Sequence, residues 1–156
     1  MKSTLTLTAI VFAFCAAPAL CAEFPKSGEA VYDTYYIDRT VTQIASGPDS
    51  GALVESTGIN RNVKGEGPFN DMSVICLYHW AVLDGKDIFD GSCVETDPDG
   101  DTVFTTFDSK AHYFKGGTGK YKGITGEAPF TIKGLHDTAD GRRALIITHK
   151  ATWEIK

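Results

Sequence analysis

His79 and Asp90 have the residue types of a general base and of the carboxylate that orients it. They lie at equal distances on either side of Asp84-Gly85. In a hairpin closed at that dipeptide, the two side chains would face each other across neighbouring strands. The other interpretation is a cross-strand ion pair on an exposed face, worth less than ~1 kcal/mol. We favour the ion pair and keep the general base as the alternative.

Further candidates for ligand contact are a histidine and two aromatic residues. His149 lies on the apolar face of the last predicted strand, where it is either a hydrogen-bonded core residue or a ligand contact. Trp80 shares a predicted strand face with Tyr78 and Phe89, which favours a packed aromatic cluster over a ligand cage. The sequence thus offers five candidate ligand-binding residues: His79, Asp90, His149, Trp80 and Phe130.

Motifs for metals and nucleotides do not occur in the sequence. Four aspartates between residues 97 and 108 are spaced like calcium ligands, but Thr102 stands at the sixth position, where the loop needs glycine. The glycine-rich run over residues 116–126 has the spacing of neither the dinucleotide fingerprint nor the P-loop. We therefore predict no metal and no cofactor, and the sequence assigns no catalytic residue.

The N-terminal residues predict export from the cytoplasm. Lys2 precedes an uncharged apolar run over residues 5–17, followed by Pro18 and small residues up to Ala22. The run is too short to cross a bilayer, which needs ~20 residues. We predict a signal peptide over residues 1–22, one mature domain over residues 23–156, and a periplasmic or secreted location.

The predicted mature chain is acidic and has no second apolar stretch of membrane-spanning length. Removal of Lys2 with the signal peptide changes the net charge from −5 to −6. A negative domain repels phosphate backbones, so we predict no nucleic-acid partner.

Cys76 and Cys93 are the two cysteines that remain after cleavage, in an oxidising compartment. Asp84-Gly85 is a strong two-residue hairpin motif, and counting outward from it places the two cysteines directly opposite each other. The position is a non-hydrogen-bonded pair with Cα atoms ~4.5 Å apart, which a disulfide accepts. We predict the disulfide; the alternatives are two buried thiols, or a helix over residues 69–84.

The rest of the sequence indicates seven or eight short strands and no helix. Alternating apolar residues predict strands over residues 127–134 and 143–155, and β-branched and aromatic residues predict strands over 29–39 and 52–63. Two further strands flank Asp84-Gly85, and another follows the turn at residues 97–100. Loops are expected at residues 46–51 and 64–68, and a hairpin turn at 139–141. This pattern is typical of a sandwich or a barrel.

The glycine-rich run has the form Gly-Gly-Thr-Gly-x-aromatic-x-Gly-x-x-Gly, with its glycines at Gly116, Gly117, Gly119, Gly123 and Gly126. It resembles a segment of the allene oxide cyclase and dirigent protein superfamily that precedes a late barrel strand. The resemblance implies an all-β fold: a single eight-stranded antiparallel, calycin-like barrel with an apolar cavity, often assembled as a homotrimer or homodimer. It places no catalytic residue of the plant cyclases on this sequence.

Three functions fit these expectations. The first is a non-catalytic barrel that binds a small apolar molecule or assembles with copies of itself. The second is a cyclase-like or dirigent-like enzyme that steers a reactive intermediate, and the third is a secreted interaction or inhibitor module. Paired ionisable groups in a sizeable cavity would favour the enzyme, and an apolar cavity would favour the carrier. A filled interior with an exposed apolar patch would favour the interaction module.

Overall fold

The computed structural model describes residues 24–137 and 141–156. Within them, eight antiparallel strands form one closed barrel, in which each strand pairs with its neighbours in sequence and the last pairs with the first. The predicted all-β, eight-stranded barrel is therefore confirmed. The strands are β1 (Ser27–Ser46), β2 (Asp49–Asn62), β3 (Met72–Leu83), β4 (Lys86–Thr96), β5 (Thr102–Phe107), β6 (Ala111–Gly117), β7 (Ile124–Asp137) and β8 (Arg142–Ile155).

Two of the predicted features lie wholly or partly outside the residues that the structure describes. They are the signal peptide and positions 139 and 140 of the last predicted turn. In the part of the chain that is described, no helix is long and apolar enough to cross a membrane.

The β3–β4 hairpin has the predicted register. Leu83 pairs with Lys86, Cys76 pairs with Cys93, and the cysteines form a disulfide with their Cα atoms 4.0 Å apart. Asp84 and Gly85 both have positive φ, at 50° and 72°, as a type I′ turn requires. The strand interpretation of residues 73–83 and the disulfide are thus both confirmed.

One expectation about secondary structure was wrong, and one strand was not predicted. Residues 46–51 are not a loop, because β1 and β2 extend to a two-residue turn at Gly47-Pro48. Gly47 has a φ of 61°, which lets the chain reverse within that turn. Strand β6 was not predicted, because its short sequence runs into the glycine-rich segment.

The glycine-rich segment forms a tight corner between β6 and β7. A single 3₁₀ turn spans Gly119–Tyr121, and the Tyr121 ring is buried. Gly119 has positive φ, and a Cβ there would overlap the carboxylate of Asp101. That carboxylate accepts a hydrogen bond from the Lys120 backbone N–H at 3.1 Å, so glycine is needed for the corner to close.

Aromatic side chains fill one end of the barrel. Phe24, Phe69 and Trp153 pack together with centroid separations of 5.2–6.0 Å, and Tyr121 lies 4.8 Å from Phe24. We call these four residues the aromatic plug. It lies where β1 begins and β8 ends, at the end of the barrel opposite the β1–β2 and β3–β4 turns.

Candidate functional site

A cavity of about 310 Å³ lies inside the barrel at the end opposite the aromatic plug. All eight strands contribute to its wall, and most of the wall is aromatic or aliphatic. Its volume is at the lower end of the ~300–1,000 Å³ typical of small-molecule sites. The lining residues are Tyr36, Asp38, Ser56, Cys76, Tyr78, Trp80, Asp87, Phe89, Phe107, His112, Phe130, Ile132, Arg143, Leu145 and Ile147.

A charged pair, Asp38 and Arg143, lies within this wall. The two residues are direct partners in the β1–β8 register, and Arg143 Nη2 donates to Asp38 Oδ2 at 2.8 Å. Tyr78 Oη donates to the same oxygen at 2.7 Å, while Ser56 Oγ donates to Oδ1. The Arg143 guanidinium also lies over the Trp80 ring, 5.1 Å from its centroid. We call Asp38, Ser56, Tyr78 and Arg143 the mouth cluster.

The mouth cluster is balanced in charge. Asp38 is buried, and three donors occupy most of the roughly four acceptor positions of its carboxylate. Burial and the adjacent Asp38 charge raise the pKa of Tyr78 above its ordinary value, so this side chain remains a neutral hydroxyl. Arg143 keeps guanidinium N–H groups that Asp38 does not use, and these are the donors left for a bound molecule.

Aromatic rings form the wall below the mouth cluster. Phe107 packs edge-on against Tyr78 at 5.8 Å, and Phe89 lies 6.4 Å from Phe107 and 6.2 Å from Phe130. The disulfide is part of the same wall through Cys76, whose sulfur lies 3.3 Å from Tyr36 Oη. Such a wall suits a flat ring, because offset and edge-to-face contacts between rings are favourable.

Two histidines lie at the inner end. His112 lines the cavity, stacks on Phe107 at 4.7 Å, and lies 4.7 Å from His149 by ring centroids. Burial lowers the pKa of His112 to about 4, and burial also lowers the pKa of His149, so both imidazoles are neutral at ordinary pH.

The structure brings three of the five predicted site residues to the barrel interior. Trp80 and Phe130 line the cavity, and His149 faces inward just beyond its inner end. His79 and Asp90 oppose each other as expected, but on the outer face, with side chains 50% and 72% exposed. Their Nδ1 and Oδ1 atoms are 3.9 Å apart, the arrangement of the exposed ion pair.

Sequence analysis missed Asp38, Arg143 and His112. Asp38 follows Tyr32 and Tyr36 on the inward face of β1, and Arg143 is the first inward-facing residue of β8. Each places a charge on a face that is otherwise buried. A charged residue at an inward-facing position was therefore the sequence signal that could have identified these two site residues. His112 had none, because β6 itself was not predicted.

No cluster that could hold a metal ion occurs within residues 24–137 and 141–156. The aspartates at 97–108 serve turns instead. Asp97 Oδ1 accepts hydrogen bonds from the backbone N–H groups of Asp99 and Asp101 at 2.9 and 3.0 Å.

The fold, a closed eight-stranded barrel plugged at one end and hollow at the other, is similar to that of a solved dirigent protein. Among solved structures, a pterocarpan synthase dirigent protein is similar over 94% of this chain and 100% of its own, with a TM-score of 0.51 and 12% sequence identity. At that identity the likeness concerns the fold. No protein-family model and no curated protein matches the sequence.

Proposed function

We propose that this protein acts outside the cytoplasm and binds a small aromatic molecule in its cavity without transforming it. The observation that carries the proposal is the hollow end of the barrel, walled by aromatic rings beside the charge-balanced mouth cluster. The support for an extracytoplasmic location is the sequence of residues 1–22 together with the Cys76–Cys93 disulfide.

The mouth cluster suggests which chemistry the ligand carries. Because Asp38 and Arg143 neutralise each other, a charged ligand would gain little from either of them. The unused guanidinium N–H groups of Arg143 suit a hydroxyl or carbonyl oxygen. The proposed ligand is therefore an uncharged aromatic molecule with an oxygen at the end near the mouth.

Blocking the cavity tests this proposal. Ile132 lines the cavity on β7, and Lys133 is the next residue, on the outer face. We expect Ile132→Trp to weaken binding of para-phenylphenol by at least about tenfold, because the larger ring takes up ligand volume. Lys133→Trp should bind as wild type does. Isothermal titration calorimetry gives the comparison, and equal affinities for both variants would place the ligand elsewhere.

A second candidate is that the barrel steers a reactive phenolic intermediate. It is favoured by the buried Asp38 beside Tyr78 and Arg143, and by the fold it shares with a pterocarpan synthase dirigent protein. A carboxylate in such a site can hold a proton or stabilise developing positive charge. In phenolic coupling started by an added one-electron oxidant, which forms the phenoxyl radicals, an enantiomeric excess that is present with wild type and lost with Asp38→Asn would support steering. A racemic product with wild type would exclude steering for that substrate.

The outer surface supports self-assembly as a further part of the proposal. Ile37, Ile75, Val94 and Phe104 are each 39–57% exposed, and cross-strand neighbours link them through Thr57 into one row over β1–β5. We call this set the outer apolar row. An exposed and largely apolar surface of this kind is typical of protein interfaces.

We expect Ile75→Lys to convert an oligomer of the wild type into monomers, because it places a charge at the middle of the outer apolar row. Leu83→Lys is the matched control, since Leu83 is also an aliphatic residue and is 47% exposed, but it lies at the tip of the β3–β4 hairpin. Light scattering coupled to size-exclusion chromatography measures both. A monomeric wild type would contradict self-assembly through this row.

A further inference from the structure

The inner end of the cavity contains a buried polar atom that lacks a partner. His112 is 3% exposed, and its Nδ1 has no hydrogen-bond partner within the residues that the structure describes. The Tyr32 ring stacks on His149 at 4.7 Å, and of these three residues only His112 lines the cavity. Buried polar groups left without partners are costly, so the imidazole of His112 points to a ligand whose polar group hydrogen-bonds it.

The order of residues along β8 fixes the position of His112 relative to the mouth cluster. Arg143, Leu145 and Ile147 line the cavity in succession, and His149 is the next inward-facing residue. The wall from Arg143 to Ile147 covers about 13 Å of strand. Since His112 contacts His149, it lies at the opposite end of the cavity from the mouth cluster.

The packing around His112 holds its ring in place. Phe107 stacks on one face at an interplanar angle of 10°, and Phe130 meets the ring edge-on at 86°. A ring fixed in this way offers a hydrogen bond at a fixed position and loses little entropy when a ligand binds. Because the imidazole is neutral, one of its nitrogens donates and the other accepts.

We infer that His112 is an inner hydrogen-bonding subsite, and that the ligand is an aromatic molecule with a polar group at each end. This inference rests on the proposed ligand binding and makes it more specific. One oxygen meets Arg143 at the mouth, the rings lie along Phe89, Phe107 and Phe130, and a second hydroxyl or carbonyl meets His112. A molecule with one polar end leaves His112 unpaired and binds more weakly.

The test compares two ligands on two proteins. The ligands are para-phenylphenol and para,para-biphenol, which differ by a second hydroxyl at the far end. Wild type should bind the biphenol about tenfold more tightly, the size expected for one added hydrogen bond in a buried site. His112→Phe keeps an aromatic ring against Phe107 but has no hydrogen-bonding atom, so the preference for the biphenol should disappear.

Tyr113→Phe is the control, because Tyr113 is the next residue on β6 and its hydroxyl contacts Asp108 outside the cavity. It should keep the tenfold preference. In nitrogen-15 spectra of wild type, the His112 imidazole signals should shift with the biphenol and stay unchanged with para-phenylphenol. His112→Phe should also unfold at a temperature no lower than wild type, because it removes an unpaired buried polar atom.

The outcomes separate the two proposals. If both ligands bind and the preference is the same in wild type and His112→Phe, the inner subsite is overturned and the proposed ligand binding stands. If neither ligand binds wild type, the proposed binding of such aromatic molecules is overturned together with the subsite. A preference present in wild type and Tyr113→Phe but lost in His112→Phe establishes the subsite.

Discussion

Replacing Cys76 and Cys93 together with alanine should lower the free energy of unfolding by about 3 kcal/mol. The disulfide joins residues that are 17 positions apart, and closing a loop of that length restricts the unfolded chain by about this amount. Both cysteines are buried, so the lost contacts of the two sulfurs add to the effect. The barrel should still close, because its β1–β8 seam does not involve the hairpin.

Urea denaturation of both proteins, with and without reductant, measures this loss. Reductant should destabilise wild type and leave the double variant unchanged, which separates the bond from any other effect of reductant. Intact wild-type protein should be about 2 Da lighter without reductant than with it, as one disulfide requires. An alanine variant that unfolds at the same urea concentration as wild type would show that the bond does not stabilise the barrel.

The β3–β4 hairpin could be predicted from sequence because its determinants are local. Asp84-Gly85 fixes the turn, and a two-residue turn fixes every pair along both strands, including Cys76 opposite Cys93. The alternation of apolar and polar residues along β8 likewise predicted which of its side chains face inward, from the local sequence alone. Strand β6 lacked such evidence, since it is seven residues long and ends in two glycines.

The mouth cluster could not be predicted in this way. Asp38 and Arg143 are 105 residues apart and meet because the first strand of the barrel pairs with the last. Nothing in the local sequence around either residue sets that register, which depends on how all eight strands tilt and close. For His79 and Asp90 the opposition is local and could be predicted, whereas the choice between the favoured exposed ion pair and the general base depended on which face the closed barrel buries.

A buried carboxyl, that of Glu95, lies deeper in the barrel, and its ionisation should have a large effect on the free energy of unfolding. Glu95 is 2% exposed, and Asn60 Nδ2 donates to its Oε2 at 2.7 Å. The oxygen of the same Asn60 amide accepts a hydrogen bond from Thr34 Oγ1 at 2.6 Å. Burial raises the pKa of Glu95 from 4.5 to about 7, while the Asn60 hydrogen bond lowers it by less.

The raised pKa of Glu95 sets a direction for stability against pH. Between about pH 4.5 and pH 7 the folded protein keeps the Glu95 proton that the unfolded chain releases. The stabilisation from that proton is complete below about pH 4.5 and is lost as the pH rises through about 7. The difference between the two pKa values corresponds to about 3 kcal/mol of unfolding free energy.

Glu95→Gln should therefore be more stable than wild type by about 3 kcal/mol at about pH 8 and nearly equal to it at or below about pH 4.5. Glutamine keeps an oxygen that accepts from Asn60 and carries no charge at any pH. His112 and His149 titrate in the opposite direction, but they are the same in both proteins, so the difference between variant and wild type reports Glu95 alone.

Urea denaturation at several pH values gives that difference, and Glu127→Gln, at an exposed carboxylate on β7, should open no such gap. Parallel curves for Glu95→Gln and wild type would mean that the carboxyl is ionised in the folded protein across this range. A widening gap as the pH rises would instead show that the barrel holds an uncharged acid beneath its cavity. That result would also explain how this carboxyl, hydrogen-bonded by the Asn60 amide and with no ion-pair partner among residues 24–137 and 141–156, is tolerated in the core.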